Sequence, residues 1–206
     1  MLMSFEVPFY YGLGSRYSYL AASQLERIER ETSCCFEWLP LQSGELIRRA
    51  NQGLSPFSGP PISGQYDWNF RQRDAESWAR YYGVPYHEPH AFRIDPADLA
   101  RACWVAEGQG CLKEMSVLIF QAIFVKSHVI TRDLLGTLAR ELGMDVQMFL
   151  DEIDGEETAA KHESVLRRAM TDGVFGVPSF VVGKEMFWGN DRLPLVKHAL
   201  LREGEA

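Results

Sequence analysis

Along the chain the first pattern is a short apolar run, "FEVPFYY" over residues 5–11, crowded with aromatic side chains as in a buried strand. A small polar gap follows. From 16 to 29 the apolar positions Tyr17, Leu20, Ala21, Leu25 and Ile28 then recur at the spacing of one helix face. Residues 34–39 read as a second strand. Strand, helix and strand at this spacing predict two parallel strands joined by a right-handed crossover.

Between Ala50 and Tyr66 the text "NQGLSPFSGPPISGQ" has no sustained period and is rich in Gly, Pro and Ser, so it reads as loop. Loops of this length in a compact chain are often functional. Helical periodicity returns at about 70–82, 96–106, 110–125, 131–143 and 155–172. In "ITRDLLGTLARELGM", Thr131 is a cap candidate, Leu134, Leu135, Leu138 and Leu142 form the apolar stripe, and Gly143 is a terminator. Near the end, "SFVV" at 179–182 and "EMFWG" at 185–189 flank a Gly-Lys turn and predict a hairpin. A last helix begins near Asp191 and includes Leu193, Leu195, Val196, Leu200 and Leu201. The order β-α-β, helices, β-β-α resembles the thioredoxin topology: an α/β, thioredoxin-like fold with a large all-helical insertion. The expected division is a discontinuous thioredoxin-like domain, 1–45 and 173–206, and a helical insertion domain, 46–172.

Composition changes this picture little. The 206 residues are 46% hydrophobic and 24% charged, enough for a sizeable core. A net charge of −7 without any basic run argues against nucleic acid as a partner. The start, "MLMSFEVPFYYG", lacks a basic region and carries Glu6 where a signal peptide would be apolar, and no run is long enough to span a bilayer. The four cysteines, Cys34, Cys35, Cys103 and Cys111, show no Cys-x-x-Cys spacing and suggest a reducing cytoplasm. Cys34-Cys35 are expected to act as small hydrophobes in the second strand. No metal site is expected, because His87 and His90 lack a third ligand at a fitting spacing. His162 reads as a solvated helix residue, and Trp68, Phe70 and Tyr82 read as core before pocket lining.

Chemistry concentrates at two places. Ser15-Arg16-Tyr17-Ser18 stands where the first strand hands over to the first helix, the position at which thioredoxin-like proteins carry Cys-x-x-Cys. Both cysteines are serines, so no protein thiolate is available there for disulfide exchange. Val177-Pro178 precedes a strand, where a cis peptide is expected and would turn the Val177 N–H and C=O toward the first helix.

"GVFGVPSF" and "MFWGNDRL", with "SRYSYLA", "RDAESWARYYGVP" and "LARELGMD", resemble the 2-hydroxychromene-2-carboxylate isomerases, kin of the kappa-class glutathione transferases and DsbA-like proteins. The resemblance runs from about 5 to 201. It implies a glutathione-dependent isomerase of a small aromatic substrate, acting as a homodimer. Ser15 would then sit beside the glutathione sulfur as the catalytic residue, and Val177 and Pro178 would pair with its cysteine. Asn190 and Asp191 would hold the γ-glutamyl end, and Asn51 would reach in from the linker. From the residues alone, Ser15 is equally a helix cap, Asn190-Asp191 a cap for the last helix, and Asn51 a loop residue.

The resemblance is imperfect at the first helix, where relatives place a proline and this chain has Arg16, and in the loop, where relatives use a lysine. Arg71 and Arg73 are candidates for the missing charge. Rival readings are a kappa-like transferase or peroxidase that consumes glutathione, and a redox-dead thioredoxin-fold binding module.

Overall fold

Strand β1 (Glu6–Tyr11) pairs in parallel with β2 (Cys35–Pro40), with Phe9 opposite Trp38 and Tyr10 opposite Leu39. On its other side β1 pairs antiparallel with β3 (Ser179–Val182), which pairs antiparallel with β4 (Glu185–Trp188), giving the order β2-β1-β3-β4. The computed structural model describes residues 6–57, 60–61, 63–88 and 94–203. The topology is the thioredoxin-like one expected.

Between β1 and β2 runs α1 (Arg16–Thr32), and after β2 come α2 (Ser43–Ala50), α3 (Trp68–Tyr82), α4 (Pro96–Glu107) and α5 (Leu112–Phe124). Helices α6 (Arg132–Glu141), α7 (Val146–Ile153) and α8 (Glu156–Thr171) lead to β3, and α9 (Leu193–Glu203) closes the described chain. The pleat of β1 explains the layering. Val7, Phe9 and Tyr11 enter the larger core with Leu20, Leu25 and Ile28 of α1 and Ile119, Phe120 and Ile123 of α5. Tyr10 joins Leu39 in a second core with Trp104 of α4 and Val165, Leu166 and Ala169 of α8.

Capping follows the sequence. Thr131 accepts from the Leu134 N–H at 3.2 Å, and Gly143 beyond α6 takes a φ of 79°, which a side chain disfavours. Two helices escape the periodicity reading. In α2 only Leu46 is buried, and α7 is a two-turn helix burying Phe149 and Ile153. α2 also runs across position 45, so the helical segment begins at Ser43.

Three expectations are corrected by packing. His162 is buried at the seam of α2 and α8, where its Nε2 accepts the Gln42 N–H at 3.0 Å. Cys34 is buried, but Cys35 faces solvent. Trp68 and Phe70, 57% and 48% exposed, are not core residues. His90 lies outside the described residues. Among those described, no helix is long and apolar enough to cross a membrane.

Candidate functional site

The turn from β1 into α1 is built by three short polar contacts. Ser15 N–H donates to the Gly12 carbonyl at 2.9 Å, and the Ser18 backbone N–H donates to Ser15 Oγ at 3.2 Å. Ser18 Oγ accepts the Gly12 N–H at 3.3 Å, so Ser18 is buried and locks the turn. Ser15 is therefore an N-cap. Its oxygen accepts while its own hydroxyl proton stays available to donate outward, at the positive end of a 17-residue helix.

Gly12 joins this turn to the second sequence motif. A Cβ there would lie 3.0 Å from Ser43 and 3.5 Å from the Val177 side chain, so the β1–α1 turn, the start of α2 and the loop before β3 converge. The Val177-Pro178 peptide is cis. Val177 itself is half-buried, and its peptide N–H and C=O enter no hydrogen bond among the described residues. The Pro178 carbonyl accepts from Gly189 N–H at 2.9 Å, which links this loop to the turn holding Asn190 and Asp191. Gly189 has φ 114° and ψ 152°, and a Cβ on it would lie 2.3 Å from Asp191 Oδ1. That glycine lets the Asp191 carboxylate fold back over the turn. Asp191 remains exposed, its only ion pair among the described residues being Arg192 at 3.7 Å.

Ser15, Val177 and Asp191 thus stand on turns linked through Gly12, Pro178 and Gly189, with Pro178 itself buried. Asn190 is buried, its backbone carbonyl accepting from Tyr82 OH at 3.1 Å and its Nδ2 lying 3.5 Å from the same hydroxyl. Asn51 caps the far end of α2, its Nδ2 donating to the Ile47 carbonyl at 2.8 Å. It sits a helix length, roughly 12 Å, from the Ser43 end that touches Gly12.

Sequence reasoning noted Arg16 only as a departure, yet it is 5% exposed and donates to Glu88 Oε1 at 2.6 Å. The Tyr86 hydroxyl donates to the other Glu88 oxygen, and burial, then that bond, pushes the phenol well above its ordinary value. Tyr17 OH donates to Asp74 Oδ2 at 2.8 Å, and burial raises this phenol too. Arg71 lies inward beside Tyr17, whereas Arg73 is exposed. Burial pulls the Arg71 guanidinium below its ordinary value. No local signal pairs Arg16 with an acid 72 residues away.

Among the cysteines, Cys103 is fully buried and its thiol is pushed up to about 12 by burial. All four are free thiols. Among the described residues no three His, Cys, Asp or Glu side chains gather as a metal site.

Comparison with known proteins agrees with the fold and with the resemblance read from the motifs. The family described as DSBA-like thioredoxin domain matches residues 6–201. The 2-hydroxychromene-2-carboxylate isomerase of Sphingobium xenophagum is 27% identical over 201 residues, covering 97% of this chain and all of that one. A solved 2-hydroxychromene-2-carboxylate isomerase superposes with a TM-score of 0.83 at 21% identity, covering 97% of this chain and 96% of that one. The cytosolic disulfide reductase DsbM of Pseudomonas aeruginosa, solved with GSH, superposes at 0.65 with 19% identity over 97% of this chain and 98% of that one.

Proposed function

Because the chain belongs to the DSBA-like thioredoxin domain family but carries serines at both cysteine positions, we propose that it is a glutathione-dependent isomerase of the 2-hydroxychromene-2-carboxylate type. The observation that carries this reading is the convergence at Gly12: a serine donor at a helix N-terminus beside a peptide edge with free polar groups, and no thiol at the site. A tripeptide thiol fits what is missing. Its backbone would pair with Val177, its α-ammonium with the Asp191 carboxylate, and its sulfur would meet Ser15. Names of relatives and a GSH complex of the same fold support the reading.

When bound, glutathione would supply a thiolate nucleophile for reversible addition to a conjugated carbon, which lowers the order of a double bond and allows it to turn. Ser15 donates its hydroxyl to negative charge at the sulfur position, and the α1 N-terminus favours the same charge. Val177 and Asp191 would hold the peptide in register and keep its reactive end at Ser15.

The test is calorimetric titration of the protein with reduced glutathione, beside Asp191→Ala. Isomerisation of 2-hydroxychromene-2-carboxylate is then followed by ultraviolet absorbance with and without glutathione. Binding weakened by Asp191→Ala, with turnover that needs glutathione but does not consume it, is the expected result. Stoichiometric loss of free thiol would mark a transferase, and no binding at all a redox-dead module.

A further inference from the structure

Two guanidiniums lie against rings at the first turn of α1: Arg16, which is also ion-paired with Glu88 at 2.6 Å, and Arg71, which has no acid partner among the described residues. Arg16 places its Cζ 4.2 Å from the centroid of the Trp68 ring, and only its Nη2 reaches Glu88. Its Nη1 is buried with no hydrogen-bond partner among the described residues. Such a buried donor costs stability, as do Trp38 Nε1 and Arg101 Nε, which are buried and unpartnered elsewhere among the described residues. Arg71, from α3, lies with its Cζ 5.2 Å from the Tyr17 ring centroid and 4.8 Å from that of Phe57. Its side chain makes no hydrogen bond or ion pair among the described residues, since Asp74, the acid nearest in sequence, is engaged by Tyr17. Residues 58–59, 62 and 89–93 contain no Asp or Glu.

Rings over a guanidinium cover its face and leave the N–H groups, which lie in its plane, free to grip an anion in fork geometry. Around this unmatched charge the stretch from 57 to 70 exposes three large rings, Phe57, Trp68 and Phe70. Exposed rings next to an unpaired cation suit a ligand that is flat at one end and anionic at the other.

We propose that Arg71 is the carboxylate-binding and specificity-determining residue for a planar aromatic acid, whose ring lies against Phe57 and Trp68. This deepens the isomerase reading and rests on it for the role of Ser15. It assigns to Arg71, and not to Arg73, the charge that selects acids over neutral analogues.

The experiment compares binding of 2-hydroxycinnamate with that of its uncharged counterpart, 2-hydroxycinnamamide, by quenching of tryptophan fluorescence in the intact protein. The wild-type chain is expected to prefer the acid by about tenfold or more. Arg71→Gln removes that preference while the amide binds as before, Arg71→Lys keeps part of it, and Arg73→Gln keeps all of it. Equal binding of acid and amide by the wild-type chain, no binding at millimolar acid, or a preference that survives Arg71→Gln overturns the proposal. The wild-type ratio needs no variant, so a folding defect in Arg71→Gln does not blunt the test. Reduced glutathione titrated in parallel separates the two readings. Arg71-dependent acid preference without glutathione binding leaves the subsite standing and removes the isomerase, and glutathione binding without acid preference removes the subsite alone.

Discussion

Two charged clusters in this molecule are built in opposite ways. At the seam where α2 and α8 meet the sheet, Arg49 bonds Glu163 through both terminal nitrogens, at 2.8 and 2.9 Å. Arg168 grips Glu37 of β2 at 2.6 Å with each of two nitrogens, and His162 accepts from the Gln42 backbone. Carboxylates there pair with arginines through two bonds each, although the Nε of Arg101, near His162, is buried without a partner among the described residues. At the first turn of α1, Arg16 pairs with Glu88 but leaves one nitrogen unmatched, and Arg71 meets rings in place of acids; at the turn before α9, Asp191 reaches its neighbour at only 3.7 Å. A saturated cluster fixes helices to a sheet and needs nothing more. An unsaturated one keeps donors and an acceptor in position at a cost in stability, which is how a surface prepared for a ligand differs from a structural joint.

The largest way to sharpen that contrast is Ser15→Ala. Removing one hydrogen-bond donor to developing charge costs on the order of 100-fold in turnover. The cap lost at the same time costs only about 1 kcal/mol of stability. We expect ultraviolet assays to show the first effect and urea titration the second. Full activity in Ser15→Ala would reduce this serine to a cap and leave the open cluster without its reaction.

Acid should break the saturated seam first. Burial, with Arg101 and Arg49 nearby, lowers the His162 pKa from 6.5 to about 4, opposed by Glu163 and Asp95. Protonation also turns the acceptor of the Gln42 N–H into a donor. Because the unfolded chain takes up this proton at higher pH than the folded one, the contribution is whole above about pH 6.5 and falls as pH drops toward 4. The total is on the order of 3 kcal/mol. Urea midpoints at pH 7, 5.5 and 4.5 should therefore decline. His162→Gln, which keeps an acceptor and cannot charge, should flatten the decline; a profile unmoved by this substitution would place the acid sensitivity elsewhere.

A smaller effect is expected at the turn that positions Asp191. Gly189→Ala puts a side chain at φ 114° and into the Asp191 carboxylate. The backbone term alone is about 1–3 kcal/mol. Glutathione affinity should fall with it, read by calorimetry on protein shown to be folded by circular dichroism. Unchanged affinity would detach Asp191 from the cofactor.

The same contrast explains what could be seen in the sequence. Strands β1 to β4 and the long helices announce themselves because period and turn residues are local, and the Ser15 and Val177-Pro178 motifs stand at element junctions that the period predicts. The partners that make a cluster saturated or open are not local. His162 reads as solvated from its own helix, since Gln42, which buries it, is 120 residues away. Trp68 and Phe70 read as core, because aromatic spacing cannot distinguish a ring that packs inward from one laid over a guanidinium. Arg16 in the sequence is only a departure from the family motif, and its pairing with Glu88 and Trp68 needs the fold. α2 shows no helical period because its single buried residue, Leu46, makes no stripe.

The smallest effect is the control that the comparison requires. Arg49 and Glu163 are 31% and 40% exposed at their side chains, so solvent screens their attraction. Arg49→Gln should cost no more than about 1 kcal/mol, even though the Arg49–Glu45–Glu163 network is well formed. It should leave the acid-over-amide preference untouched, because Arg49 spends its donors within the protein. Arg71→Gln is expected to do the reverse, with stability held and preference lost, since a half-buried guanidinium without an acid contributes little to the fold. If Arg49→Gln shifted ligand preference, or Arg71→Gln lowered the urea midpoint as much as Arg49→Gln, the two clusters would be joints of one kind, and unmatched donors would no longer mark the binding surface.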